Sequence, residues 1–206
     1  IRVLLDDGLI TSERELKKRI IEIYDQNGGE DVYGSLLEDL LKENLGYVDP
    51  KLLAKSKIAY QKTEELHVEP FPDVIPTLED LQQKEYRIGI ITDSPANKVW
   101  PRLVRMGVDP YFKSDDVITF DNTRKKKETI VPYRYALHKF GLRSEESAMV
   151  GDSPTSDIEP GNKSKMVTIL VKRAQVYPVR YYSVDQKPDY EVREVRDILS
   201  IFDKHG

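Results

Sequence analysis

The chain sets side chains able to do chemistry at four points, three of them directly after apolar runs. Asp6 and Asp7 follow Ile1-Arg2-Val3-Leu4-Leu5, and Thr92 follows Ile88-Gly89-Ile90-Ile91. Three cations stand together at Lys125, Lys126 and Lys127. Asp152 follows Ala148-Met149-Val150-Gly151, with Asp157 five residues further on. Carboxylates, a hydroxyl, an ammonium and a hard cation held by oxygen are the parts that phosphoryl transfer needs. An aspartate can act as nucleophile and carry the phosphoryl group as an aspartyl-phosphate. Mg²⁺ relieves the repulsion between that carboxylate and the phosphate. A threonine hydroxyl and a lysine can hold the non-bridging oxygens, while a second carboxyl protonates the leaving oxygen and then activates water. Each piece also has a purely structural reading. Asp6-Asp7-Gly8 and Gly151-Asp152 suit turns, Thr92-Asp93-Ser94-Pro95 suits a helix cap, and the lysines suit a solvated loop. Their joint occurrence, in this order, with the carboxylates and the threonine at the ends of the first, second and fourth expected strands, favours the chemical reading.

The elements that would position these residues can be read from periodicity. Strands are expected over residues 1–5, 87–91, 117–120, 148–150, 166–171 and 190–192. Several are apolar without alternation, as in a parallel sheet covered on both faces. Helical patterns run between them, over 77–84, 96–106, 132–140 (closed by Gly141) and 195–202. This alternation predicts a three-layer α/β domain with a parallel sheet, in which the carboxyl ends of the strands share one edge.

Residues 11–70 carry no strand signal. Ser12 with Glu15 reads as a capping box for a helix from Thr11 to about Gln26, with Leu16, Ile20 and Ile23 on one face and Gly28-Gly29 at its end. Leu36, Leu37, Leu40 and Leu41 mark a second helix, and Asp49-Pro50 opens a third that runs to about Thr63. Pro70-Phe71-Pro72 marks the return to the sheet. The expected organisation is an α/β core made of residues 1–10 and 71–206, split directly after its first strand by a helical segment, 11–70.

Composition narrows the chemistry further. The 206 residues carry a net charge of −4 with both signs interspersed, which gives no electrostatic footprint for nucleic acid. The absence of cysteine removes disulfides and thiolate catalysis, and three histidines, at 67, 138 and 205, argue against a His-rich zinc site. No long apolar run suggests a membrane span and no signal-peptide pattern opens the chain, so a cytoplasmic protein is expected.

With these residues on the page, the chain resembles the haloacid dehalogenase (HAD) superfamily, in particular small archaeal-type phosphatases with a helical cap. The resemblance is carried by Ile88-Gly89-Ile90-Ile91-Thr92-Asp93, by Ala148-Met149-Val150-Gly151-Asp152-Ser153-Pro154-Thr155-Ser156-Asp157-Ile158, and by the spacing of Lys127 from Ala136-Leu137-His138-Lys139-Phe140-Gly141-Leu142. It implies a Rossmann-like core with residues 11–70 as the cap, and hydrolysis of a small phosphorylated metabolite with Mg²⁺. By the same resemblance Thr92 and Lys127 bind phosphate, and Asp6 falls at the position of either the nucleophile or the acid/base; the retention of Thr92, Lys127, Asp152 and Asp157 favours Asp6 as the nucleophile with Asp7 in the same site. Asp6 and Asp152 hold the cation, with Asp157 supporting it from the same loop. Two departures stand out. Glu128 follows Lys127 where the family commonly has proline, and Lys125 and Lys126 offer alternative registers. The adjacent pair Asp6-Asp7 replaces Asp-x-Asp, as though that motif had been shortened. The altered motif supports a rival reading, a catalytically impaired family member kept as a binding module. A metal-independent haloacid dehalogenase would leave the Asp152/Asp157 pair without a purpose. Substrate choice is expected to lie with the cap, where Tyr33, Tyr47 and Tyr60 are candidates.

Overall fold

The computed structural model describes residues 32–173, 179 and 181–203, together with Ser12, Arg14, Lys18 and Arg19. The expected first strand, Asp6, Asp7 and most of the helix expected from Thr11 lie outside the described residues. Two compact units divide between Val68 and Glu69.

The first unit contains helices α1 (Val32–Leu45) and α2 (Pro50–His67). Leu37, Leu40 and Leu41 of α1 are buried, as their spacing along one helix face requires. Asp49 caps α2: its carboxylate accepts hydrogen bonds from the N–H groups of Lys51 and Leu52 at 2.8 and 3.1 Å. Pro50 takes the first helical position, where a missing N–H costs nothing.

The second unit is built from α3 (Val74–Gln83), β1 (Ile90–Ile91), α4 (Ala96–Arg105), β2 (Val117–Ile118), α5 (Phe120–Thr123), α6 (Val131–Phe140), β3 (Ala148–Gly151), α7 (Glu159–Lys163), β4 (Val167–Val171), β5 (Tyr190–Val192) and α8 (Ile198–Phe202). Among the described residues, β1 pairs with β2, and β3, β4 and β5 form a second ribbon in that order; every pairing is parallel. Side chains alternate between the faces of a strand, and both faces of the β3–β4 pair are covered. Ile169 and Val171 join Leu81 of α3 and Ile198 and Ile201 of α8 in one core cluster, against which Ala148 and Val150 pack. On the opposite face, α7 lies so close that a Cβ added at Gly161 would stand 2.8 Å from Thr168 Cγ2 and 3.2 Å from Met149 Cβ. Helices on both faces of parallel strands define the α/β, Rossmann-like class.

Several boundaries depart from the periodicity. The strand expected over 87–91 is confined to Ile90–Ile91, and the helix expected from 77 begins at Val74. The run from Val117 to Phe120 stops being a strand after Ile118. Thr119 instead caps α5, its N–H donating to Asn122 Oδ1 at 2.7 Å within a capping box. The helix expected from Val195 begins as a 3-10 turn (Val195–Asp197) before α8.

Candidate active site

The carboxyl ends of β1 and β3 carry three of the expected site residues, and the loop before α6 carries the fourth. Thr92 leaves β1 half-buried, with its N–H still bonded to the Ile118 carbonyl of β2 at 2.9 Å. Its Oγ1 accepts the N–H of Ser94 at 3.2 Å, which leaves the hydroxyl proton free to donate.

After β3 the chain turns sharply through Ser153 into a π-helical turn, Pro154–Ile158. The Ser153 hydroxyl accepts the N–H of Ser156 at 3.2 Å and so caps this turn. Asp157 points back beneath the strand end and is only 2% exposed. Its Oδ2 accepts the N–H groups of Asp152 and Ser153 at 3.1 and 3.0 Å. Its Oδ1 receives the Lys127 ammonium at 2.7 Å. The carboxylate occupies the space where a side chain at 151 would begin: a Cβ on Gly151 would stand 2.3 Å from Asp157 Cγ. Glycine is therefore required at 151 for close approach, with no need of unusual backbone angles.

Asp152 differs from Asp157 in every respect. Its side chain is exposed, and among the described residues its carboxylate accepts no hydrogen bond. Thr92, Lys127, Asp152 and Asp157 are thus brought to one edge, because Lys127 touches both the β1 and the β3 ends. Asp6 and Asp7 lie outside the described residues. Among the described residues no three His, Cys, Asp or Glu side chains gather as a metal site. The side chains of Tyr33 and Tyr60 are likewise outside the description, and Tyr47 is exposed.

Two residues that periodicity and motif reasoning passed over belong to this edge. Asp93 Oδ1 accepts the backbone N–H of Lys127 at 2.7 Å. Tyr133, fully buried on α6, donates its hydroxyl to the Ser156 carbonyl in the π-helical turn. Burial pushes the Tyr133 phenol well above its usual range, and the charges of Asp157 and Asp93 push the same way, so it stays a donor. Nothing in the local sequence marks either contact. One partner is 34 residues away and the other is a main-chain carbonyl.

The haloacid dehalogenase-like hydrolase family matches residues 7–171 of the chain. The chain is 29% identical to glyceraldehyde 3-phosphate phosphatase of Methanocaldococcus jannaschii over 201 residues, 98% of this chain and 85% of that one. It is 33% identical to glyceraldehyde 3-phosphate phosphatase of Methanothermobacter thermautotrophicus over 171 residues, 83% of this chain and 74% of that one. Among solved structures it shares its fold with YfnB of Bacillus subtilis, crystallised bound to magnesium, at a TM-score of 0.74 and 22% identity, covering 98% of this chain and 88% of that one. The chain belongs to the haloacid dehalogenase-like hydrolases.

Proposed function

We propose that this hydrolase is a Mg²⁺-dependent phosphatase of a small phosphorylated metabolite, with a triose phosphate such as glyceraldehyde 3-phosphate as the first candidate. The observation that carries the reading is the Lys127 ammonium, seated on buried Asp157 while its main-chain N–H is held by Asp93, the residue after Thr92. Asp157 engages one of the three ammonium protons, which leaves two for phosphate oxygens and the nucleophile. The Thr92 hydroxyl supplies a further donor to a non-bridging oxygen.

Asp6 and Asp7 enter this reading through the sequence motif. A carboxylate oxygen of Asp6 attacks phosphorus, and the ester P–O bond breaks. The departing oxygen takes a proton from the Asp7 carboxyl. The Asp7 carboxylate then removes a proton from water, whose oxygen displaces Asp6 and releases inorganic phosphate.

The donor set suits a hard cation. Asp152 offers exposed carboxylate oxygens at the strand end, and Asp6 would supply another. When bound, Mg²⁺ supplies positive charge that offsets the repulsion between the nucleophilic carboxylate and the phosphate. Asp157 serves the cation indirectly in this reading, because its oxygens already hold the Asp152 loop and Lys127. In this reading residues 11–70 take the role of the family's cap, which selects the substrate.

The test is phosphate release from p-nitrophenyl phosphate and from glyceraldehyde 3-phosphate, with Mg²⁺ and with EDTA. Turnover that needs Mg²⁺ is expected on both, with the higher kcat/KM on the triose phosphate. Turnover indifferent to EDTA would contradict the metal assignment. Silence across a broad panel of phosphate monoesters would favour the catalytically impaired reading, which rests on the adjacent Asp6-Asp7.

A further inference from the structure

We propose that Asp93 is a positioning residue for phosphoryl transfer: its carboxylate holds the main chain of Lys127 and thereby fixes where the lysine ammonium stands. The inference rests on the phosphatase reading of the same site.

Lys127 lies on the loop 124–130 between α5 and α6, and several of that loop's main-chain anchors are local. Arg124 turns the chain with a left-handed φ of 54°. The Thr123 hydroxyl accepts the Lys125 N–H at 3.2 Å and donates to the Lys125 carbonyl at 3.1 Å. Thr129 donates its N–H and its hydroxyl to the Lys126 carbonyl at 3.1 and 2.9 Å. These bonds shape the loop without fixing its place relative to the sheet. The Lys127 N–H to Asp93 bond, 2.7 Å between residues 34 apart in sequence, ties the main chain of the loop to the turn after β1. It is charge-assisted, and therefore roughly twice as strong as a neutral one. A lysine side chain has four rotatable bonds, so its ammonium is pre-organised only where both ends are held. Asp93 holds the main-chain end and Asp157 the ammonium end.

Asp93 also follows Thr92 directly. One turn after β1 thus carries both the phosphate-binding hydroxyl and the acceptor that places the lysine loop, so that the two move as a unit. The competing explanation, that Asp93 caps α4, does not hold. Pro95 is the residue at the cap position, no side chain closes that cap from within the turn, and the Ala96 N–H goes to Asp121 Oδ2 at 2.8 Å. A carboxylate near a phosphate site is electrostatically unfavourable unless its charge is committed. Here it is committed to the Lys127 N–H.

The experiment compares wild type with Asp93→Asn and Asp93→Ala, using p-nitrophenyl phosphate at saturating Mg²⁺ and reading amide hydrogen exchange at Lys127 on the same proteins. Displacing a catalytic group by about 1 Å costs on the order of 100-fold in rate. Asp93→Ala is therefore expected to lower kcat by roughly 10- to 100-fold with KM nearly unchanged. Asn keeps an oxygen for the same N–H and is expected to restore kcat to within about threefold of wild type. The Lys127 amide is expected to be protected in wild type and Asn, and to exchange faster in Ala. Should Ala fail to fold by circular dichroism, Asp93→Ser, whose side chain is too short to reach, takes its place under the same thresholds. Wild-type kcat in Ala or Ser would overturn the inference. So would an Asn variant as damaged as Ala, because the charge itself would then be in use. Active wild type with unaffected variants defeats this inference alone. An inactive wild type defeats the phosphatase reading and leaves the exchange measurement to decide for or against the anchoring of Lys127.

Discussion

At the scale of single residues, the site depends on two aspartates of the same loop doing opposite things. Asp152 is exposed and, among the described residues, its carboxylate accepts no hydrogen bond; Asp157 is buried and accepts three. Asp152→Asn is expected to leave the fold intact while lowering Mg²⁺-dependent kcat by two or more orders of magnitude, read by steady-state kinetics against Mg²⁺ concentration. Lys127→Ala removes the ammonium that Asp157 compensates and strands a buried carboxylate. It should abolish turnover and cost about 3–5 kcal/mol in urea unfolding, the usual result of breaking a buried pair. Lys125→Ala, on the exposed part of the same loop, is expected to stay within about twofold of wild type, as surface substitutions usually do. If Lys125 instead proves essential, the assignment of Lys127 as the site lysine is wrong. The placement of Thr92, Asp152 and Asp157 at strand ends was legible in the sequence because each stands at, or a fixed step beyond, the end of an apolar run. Asp93 and Tyr133 were not, because their partners are a main-chain N–H and a main-chain carbonyl, which no residue type announces.

At the scale of elements, side chains at the ends of helices and strands decide how the pieces are fastened. Thr119 shows why pattern alone overran β2: it is β-branched and follows two apolar residues, yet it stands at the N-cap position of α5, with its N–H and its hydroxyl both donating to Asn122 Oδ1. Asp73, before α3, is a second fastening that periodicity could not show. It takes both arms of the Arg173 guanidinium, at 2.5 and 2.7 Å, and the Val195 N–H at 2.7 Å. It therefore joins α3 to the chain leaving β4 and to the turn before α8. The guanidinium beside Asp73 holds its carboxyl down at about 2, against an ordinary 3.8, with the Val195 N–H adding to the effect and burial opposing it. A depressed acid stabilises the fold fully above its unfolded value, and the contribution is lost as pH falls through the folded value. The clamp should accordingly contribute on the order of 2 kcal/mol above about pH 4, lost by about pH 2. Asp73→Asn is expected to lower stability at pH 7 and to flatten the pH dependence of urea unfolding between those limits. An unchanged slope would show that the clamp does not act through its charge.

At the scale of the whole molecule, the alternation of apolar runs and helical periods was enough to read a parallel α/β core, because strands covered on both faces leave an unmistakable apolar signature. The boundary between the two compact units, at Val68 and Glu69, falls just before the Pro70-Phe71-Pro72 stop. The turns that follow β1 and β3 stand close enough for one lysine to reach both, through Asp93 and Asp157. The central claim is that Lys127, Thr92 and Asp152 serve a covalent transfer to Asp6. Beryllofluoride binding with Mg²⁺, followed by fluorine NMR, tests it most directly. The account predicts bound fluoride resonances that require Mg²⁺, disappear in Asp6→Asn and weaken in Asp152→Asn. Resonances that persist in Asp6→Asn, or that never form in wild type with Mg²⁺, would contradict it.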